Sequence, residues 1–415
     1  MSVEKKVPEI RFKGFSEAWV DSDLKSFSDS FSYGLNASAV KFDGVNKYLR
    51  ITDIDEKSRR FDYCQLTSPD ADLSKSDNYL LKNGDILFAR TGASVGKTYI
   101  YNEQDGKVYF AGFLIRASIN HKASAQFIFQ NTQTHKYARF VAATSQRSGQ
   151  PGINAKEYGE YRLFSPTVPE QTQIGSYFQK LDALINQHQQ KYDKLSSIKK
   201  AMLGKMFPKS GETIPEIRFK GFSGAWKEKT LGEIGDTYPG LSGKTKDDFG
   251  HGQGRFVTYL NVFSNAISNE NLLEPIEFDT NQNEVKKGDV FFTTSSETPE
   301  EVGMSSVWMS EIKNVYLNSF CFGYRPKQKL DNYYLAYLLR SNSFRDKIVF
   351  LAQGISRYNI SKTKVMDIKI SIPEYSEQEK IGNYFQKLEM LINHHQQQIT
   401  KLNNIKQACL SKMFV

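Results

Sequence analysis

Apolar positions recur with alternating steps of four and three in two segments of the chain, and the two segments nearly match. In "IGSYFQKLDALINQHQQKYDKLSSIKKAMLGKMF" (174–207) the stripe is Ile174, Phe178, Leu181, Ile185, His188, Tyr192 and Leu195. In "IGNYFQKLEMLINHHQQQITKLNNIKQACLSKMF" (381–414) it is Ile381, Phe385, Leu388, Ile392, His395, Ile399 and Leu402. This spacing draws one narrow line along a helix and suits a coiled-coil seam. Beyond it the stripes shift to Ile198, Met202 and Met206, and to Ile405, Cys409 and Met413. Pro169 and Glu170 suit a helix start, and Pro208 with Gly211 ends the first helix. At ~1.5 Å per residue each predicted helix spans roughly 55 Å. A stripe so narrow is not expected to be buried by its neighbouring domain alone. Two near-identical stripes are expected to clasp each other antiparallel, with His188 and His395 as hydrogen-bonded seam residues.

Between the stripes the pattern changes. "GDILFAR", "KVYFAGFLIRASI" and "VYLNSFCFGYRP" read as strands, and the whole of 98–119 reads as a hairpin broken at Asp105-Gly106. "AQFIFQNTQTHKYARFVAAT" and "NYYLAYLLRSNSFRDKIVFLA" read as short helices. Each body has a normal domain size and is of mixed α/β class.

The chain is written twice. "PEIRFKGF" stands at 8–15 and again at 215–222, Ala18-Trp19 returns as Ala225-Trp226, and the helical segment returns with 22 of 34 residues identical, all at an offset of 207. The bodies between share little beyond "KNGDILF" (82–88) and "KKGDVFF" (286–292). Two variable bodies on a near-constant frame imply approximate two-fold symmetry.

Composition narrows the partners. Hydrophobic residues at 39% and aromatics at 13% support real cores, and a net charge of +9 favours a polyanion. Cys64, Cys321 and Cys409 have no paired spacing, the start "MSVEKKVPEI" has no apolar signal core, and no membrane-length apolar run occurs. A soluble cytoplasmic protein is expected.

Catalytic motifs are missing. "RTGASVGKT" (90–98) follows a strand as a phosphate-cradling loop would, but Gly92 and Gly96 enclose three residues where that loop needs four, and no helix follows. The chain has no Pro-Pro pair, H-E-x-x-H, G-x-S-x-G or strand-borne G-x-G-x-x-G. Asp279, Glu284 and Lys286 sketch the skeleton of a stand-alone metal-dependent nuclease, in a short pattern of common residues beside a turn. The expectation is therefore a non-catalytic chain with no bound cofactor or metal.

What stands out is polar, basic and in loops. After each Lys-x-Gly-Asp strand comes a loop, carrying Arg90, Thr91, Ser94 and Lys97 in the first half and Thr293, Thr294 and Ser295 in the second. A second pair, "SQRSGQPGIN" (145–154) and "AQGISRYNIS" (352–361), offers Arg147, Gln150 and Asn154, and Arg357, Tyr358 and Asn359. Such groups hold phosphates and read base edges, so these thirteen residues are the candidate DNA contacts. A coiled-coil scaffold that binds only protein is the competing reading.

The duplicated "PEIRFKGF", the twin helices and "GDILFARTG" resemble the specificity subunit of a type I restriction–modification enzyme across the whole chain. The resemblance implies an α/β fold with two mixed α/β target-recognition domains in pseudo-two-fold arrangement, separated by two long antiparallel coiled-coil helices. The divisions expected are 1–168, first recognition domain; 169–211, central helix; 212–375, second recognition domain; and 376–415, C-terminal helix. It implies a chain that reads a bipartite, asymmetric site in double-stranded DNA and docks two methyltransferase subunits and restriction subunits. S-adenosylmethionine, ATP and Mg would then sit on those partners.

If the helices set the distance between half-sites, inserting four residues, about one turn, within 186–200 should lengthen the unread spacer while both half-sites stay the same. Sequencing methylated genomic DNA checks this, and an unchanged spacer would refute it.

Overall fold

The computed structural model describes residues 7–147 and 149–415. It divides into two compact units. The first holds residues up to Gln189 together with Gln397–Val415, and the second holds Gln190–Gln396. The division falls inside two continuous 38-residue helices, Val168–Lys205 and Tyr375–Lys412. Each unit therefore contains the start of one long helix and the end of the other.

Each unit is built on the same four-stranded sheet. In the first the order is Ser28–Tyr33, Leu114–Ile119, Asp85–Ala89, Thr98–Ile100, all antiparallel. In the second it is Gly235–Pro239, Cys321–Pro326, Val290–Thr293, Ser305–Val307. The central "DILFA" strand is buried along its full length, as the apolar run Ile86–Ala89 predicts. A parallel pair lies beside each sheet, Lys47–Leu49 with Val108–Phe110 and Arg255–Val257 with Val315–Leu317. An outer antiparallel pair recurs at an offset of 207, Val20–Asp23 with Arg162–Ser165 and Lys227–Thr230 with Lys369–Ile372. The single hairpin expected over 98–119 is absent. Thr98–Ile100 returns to Asp85–Ala89, Val108–Phe110 leaves for Lys47–Leu49, and Leu114–Ile119 comes back to the main sheet. Alternation marks strands but says nothing of which distant strand each will pair with.

The shared Lys-x-Gly-Asp is a turn. Gly84 and Gly288 sit at φ 91° and 89°, which side-chain-bearing residues rarely adopt. The following aspartates are buried and take back the lysine backbone N–H groups, Lys82 to Asp85 at 2.9 Å and Lys286 to Asp289 at 2.8 Å.

The repeated "PEIRFKGF" has a specific job. Arg11 grips Glu170 through two hydrogen bonds of 2.7 Å, and Arg218 grips Glu377 in the same way. Both carboxylates are buried in the first turn of a long helix, where the helix dipole also favours an acid. The next residues, Gln171 and Gln378, each accept a backbone N–H at 3.0 Å from the start of a short helix, from Ser124 and Asp331. One turn on, a Cβ added at Gly175 would stand 2.9 Å from Gln126 Cβ, and one at Gly382 2.3 Å from Asp331 Oδ1. Glu-Gln-x-x-Ile-Gly is thus a docking face for a long helix on its own body.

That docking adds to the sequence expectation of the stripe, whose two ends enter different cores. Ile174, Phe178 and Leu181 lie in the core of the first unit, and Ile381, Phe385 and Leu388 in that of the second. Ile392 is buried, while Ile185, His188, Leu195, His395 and Leu402 are half-buried. The helices also pair antiparallel within each unit. In the first, Tyr177 meets Cys409, and Asp182 meets Lys406 at 2.7 Å. In the second, Phe207 stacks on Phe385 at 5.8 Å and Lys199 pairs with Glu389. A stripe whose ends sink into separate cores is not a bare coiled coil.

The ends of the long helices close the cores. Phe414 packs against Trp19, Phe127 and Phe178 with ring centroids 6.4, 5.3 and 5.7 Å away. Its repeat mate Phe207 packs against Trp226, Tyr334 and Phe385. The backbone repeats the arrangement, Ile10 N–H donating to Lys412 O at 3.0 Å and Ile217 N–H to Lys205 O at 2.9 Å. Phe414→Ala should therefore destabilise the first unit by roughly 3–5 kcal/mol and leave the second unchanged. Hydrogen exchange resolved by segment checks it, and unaltered protection across residues 19–31 would refute it.

Candidate nucleic-acid interface

In the first unit the strand Asp85–Ala89 runs into the loop 90–97, which is held on itself. Gly92 and Gly96 take φ values of 73° and 82°, and Gly96 N–H returns to Ala89 O at 3.0 Å. A Cβ added at Gly96 would lie 2.5 Å from Val141. Two tyrosines brace the loop. Tyr158 OH accepts from Gly96 N–H at 3.1 Å and donates to Ala89 O at 2.6 Å, while Tyr137 OH donates to Gly96 O at 3.0 Å. Burial pushes both phenols up, so they remain protonated donors.

The loop 145–154 docks onto it. Ile153 N–H donates to Arg90 O at 2.9 Å, Gly92 N–H to Pro151 O at 3.0 Å, and Thr91 bridges Gly152. The exposed Gln150 lays its side chain over Gly92, and exposed Asn154 caps the helix Ala155–Gly159. Arg90 is half-buried with its guanidinium 4.9 Å from the Tyr33 ring, and Thr91 and Ser94 are half-buried beside it. Exposed Arg147 is clasped by Glu157 at 2.6 and 2.8 Å. Lys97 is buried. It pairs with Glu56 at 2.7 Å and donates to Ile54 O at 3.2 Å. Its ammonium is held by these two bonds to the segment 54–56, which a loop spacing alone does not reveal.

The second unit brings the equivalent loops together on different residues. Ser295 and Ser296 pair antiparallel with Asn359 and Tyr358, and Ile360 N–H donates to Thr294 O at 3.1 Å. Thr293 is fully buried with its hydroxyl accepting Met304 N–H at 3.0 Å, and Ser295 is buried too, so both support the loop from within. Thr294 and Tyr358 are half-buried, while Arg357 and Asn359 are exposed. Here the brace is Arg345, while Arg340 ties the strand Ser305–Val307 to the helix Tyr259–Ser264. Arg340 donates to four backbone carbonyls (Ser305, Val262, Phe263 and Asn265) at 2.8–3.1 Å. Arg345 donates to Gly303, Val302 and Glu300 carbonyls at 2.6–2.9 Å. Burial pushes both down to about 10, which leaves them charged near neutrality. These braces were not legible from the sequence because the two halves use unrelated residues for one task.

The nuclease skeleton does not assemble. Asp279 is tied to Lys244 at 2.9 Å, Glu284 accepts Asn314 N–H at 2.7 Å, and Lys286 opens the Asp289 turn. Among the described residues no group of three or more His, Cys, Asp or Glu is placed to hold a metal ion, and no helix is long and apolar enough to cross a membrane.

Residues 18–197 and 224–404 both match the family described as the type I restriction modification DNA specificity domain. The chain belongs to that family. Specificity subunits of this kind recognise DNA sequence and are not themselves catalytic. The type I restriction enzyme MjaVIII specificity subunit of Methanocaldococcus jannaschii is 20% identical over 361 residues, 80% of this chain and 78% of the relative. A second M. jannaschii protein, assigned provisionally as the MjaX specificity subunit, is 26% identical over 200 residues, 46% of this chain. That match spans only 45% of the relative's own length. The crystal structure of a type I restriction–modification S subunit from M. genitalium shares the fold, with TM-score 0.61 at 12% identity over 99% of both chains.

Tyr158→Phe removes a hydroxyl bonded on both sides of the loop 90–97. The first unit should lose about 0.5–1.5 kcal/mol, the net worth of a hydrogen bond, because Gly96 N–H keeps its bond to Ala89 O. Urea melts of the variant check it, and a stability equal to the parent's would show that the tyrosine is not a brace.

Proposed function

We propose that each unit reads one half of a bipartite, asymmetric site in double-stranded DNA, and that the chain directs adenine methylation and restriction by partner subunits. The carrying observation is the pair of meeting loops. Both units place them at the end of the same central strand, bonded through equivalent backbone atoms. The exposed or half-buried side chains differ: Arg90, Ser94 and Gln150 in one, Thr294, Arg357 and Asn359 in the other. Like scaffolds carrying unlike chemistry suit two different half-sites, with hydroxyls, amides and arginines supplying base and phosphate contacts. The excess positive charge assists approach to the duplex.

The chemistry belongs to other chains in this reading. Methyltransferase subunits, two per chain, carry S-adenosylmethionine, and restriction subunits carry ATP and Mg. The assembly works in the cytoplasm. Leu184 and Leu391, repeat mates at an offset of 207, are exposed on the long helices, and Met390 is exposed beside the latter. Exposed apolar side chains on a near-constant frame suit docking of the same subunit twice.

Co-expression with a type I methyltransferase subunit should give a stable heterocomplex that shifts duplex DNA. If about 6–10 phosphates are neutralised, its affinity should fall ~10³–10⁵-fold between about 50 and 200 mM salt. Mapping methylated adenines in cells carrying the complex should return two fixed half-sites. A complex that binds no DNA, or binds it without salt dependence, would favour a protein-only scaffold.

A further inference from the structure

A second echo survives in the variable bodies at the offset of 207: "VYFAGF" (108–113) and "VYLNSF" (315–320). Val108, Tyr109, Val315 and Tyr316 are buried, so packing accounts for them. Packing does not account for the final residue. Phe113 is 63% exposed and Phe320 58%. One exposed phenylalanine needs no explanation, since folded surfaces hold many apolar atoms. Two at one structural position are different, because the surrounding residues diverged: Ala-Gly against Asn-Ser before the ring, Leu against Cys after it.

The geometry places both rings beside the candidate interface. Each is the third residue of a four-residue turn closed by a backbone hydrogen bond, Leu114 N–H to Ala111 O at 2.9 Å and Cys321 N–H to Asn318 O at 3.3 Å. Each turn is pinned to the recognition loop of its own unit. Arg90 N–H donates to Phe113 O at 3.0 Å, and Thr294 N–H donates to Phe320 O at 3.1 Å. In the second unit the Thr294 hydroxyl adds a bond to the same oxygen at 2.9 Å, and Asn318 Oδ1 takes Phe320 N–H at 2.9 Å. The backbone under each ring is therefore rigid while the ring faces solvent. In the first unit the Arg90–Tyr33 stack lies next to it, and Arg90 Nη1 approaches Gly112 O at 3.5 Å.

We infer that Phe113 and Phe320 are the apolar contacts of the two heads with DNA, each ring packing on a base surface in its own half-site. This rests on the reading of the chain as a DNA-recognition subunit and adds the residues that supply its non-polar readout. Polar loops discriminate bases by hydrogen bonds, whereas a rigidly mounted ring gains from covering apolar base surface that water would otherwise wet. A ring beside the polar loop excludes water from those hydrogen bonds as well. The pairing of one ring with one loop makes the effect local to a half-site.

The test uses the full chain in complex with its methyltransferase subunits, on a duplex carrying the site mapped from methylated DNA, with 2-aminopurine placed in one half-site or the other. Phe113→Ala and Phe320→Ala should each lower affinity for that duplex about ten- to hundredfold, with little effect on a scrambled duplex. Each should also abolish the fluorescence response of one half-site only, a different one for each variant. Phe→Trp at either position should retain binding, and melting of the alanine variants should match the parent because neither ring is buried. Alanine variants that bind and respond like the parent would overturn the inference, as would equal loss at both half-sites. A parent complex that fails to distinguish the mapped duplex from the scrambled one would overturn the DNA-recognition reading itself, and this inference with it.

Discussion

Two phenylalanines at the ends of helices, Phe207 and Phe414, hold the rest of this structure in place. Each is the last ring of a long amphipathic segment, and each completes a core built by residues of the following body: Trp226 and Tyr334 for Phe207, Trp19 and Phe127 for Phe414. For Phe207 the following body is next in sequence. For Phe414 it is the body at the opposite end of the chain, so the first unit is complete only when residues about four hundred positions apart meet. Burying large aromatic area contributes heavily to core stability, and here it ties the last residues of the chain into the first unit.

That closure explains which parts of the repeat remained alike. Arg11 and Glu170 form a buried, doubly hydrogen-bonded pair, and removing either partner strands a charge away from water. Gly175 has no room for a methyl group, and Gln171 satisfies a backbone N–H at the start of the helix below it. Each of these has its twin in Arg218, Glu377, Gly382 and Gln378. The frame is a set of mutually dependent fits, so a change in one member costs about as much as losing the fit. In the bodies the residues that support equivalent loops differ. Their loops are braced by two tyrosines in one unit and by Arg345 in the other, so the same loop position tolerates different chemistry beneath it.

The loop "RTGASVGKT" illustrates how spacing and placement differ as sources of knowledge. Spacing alone argued against a nucleotide cradle, because three residues between glycines do not curl enough backbone N–H groups around an anion. Placement showed what the glycines do. Gly92 lies beneath Gln150, and Gly96 turns the chain against Val141 so that its N–H and carbonyl meet two buried phenols. Lys97 then points inward to Glu56. A basic residue in a glycine-rich loop reads as an anion contact until its neighbours in space are known, and Glu56 is far from it in sequence.

The sequence by itself determined the duplication, the two long helices, the mixed α/β class of the bodies and the Lys-x-Gly-Asp strand that leads into each candidate loop. All of these are local periodicities or direct self-similarity, which survive in one dimension. Tertiary structure alone decided that the narrow stripes sink into two separate cores, that 98–119 divides among different strand partners, and that loops well over fifty residues apart in each half meet. It also decided that Lys97 and Thr293 face inward while Phe113 and Phe320 face out. The reason is physical: whether a side chain is buried depends on what packs over it, and here the covering residues come from distant parts of the chain.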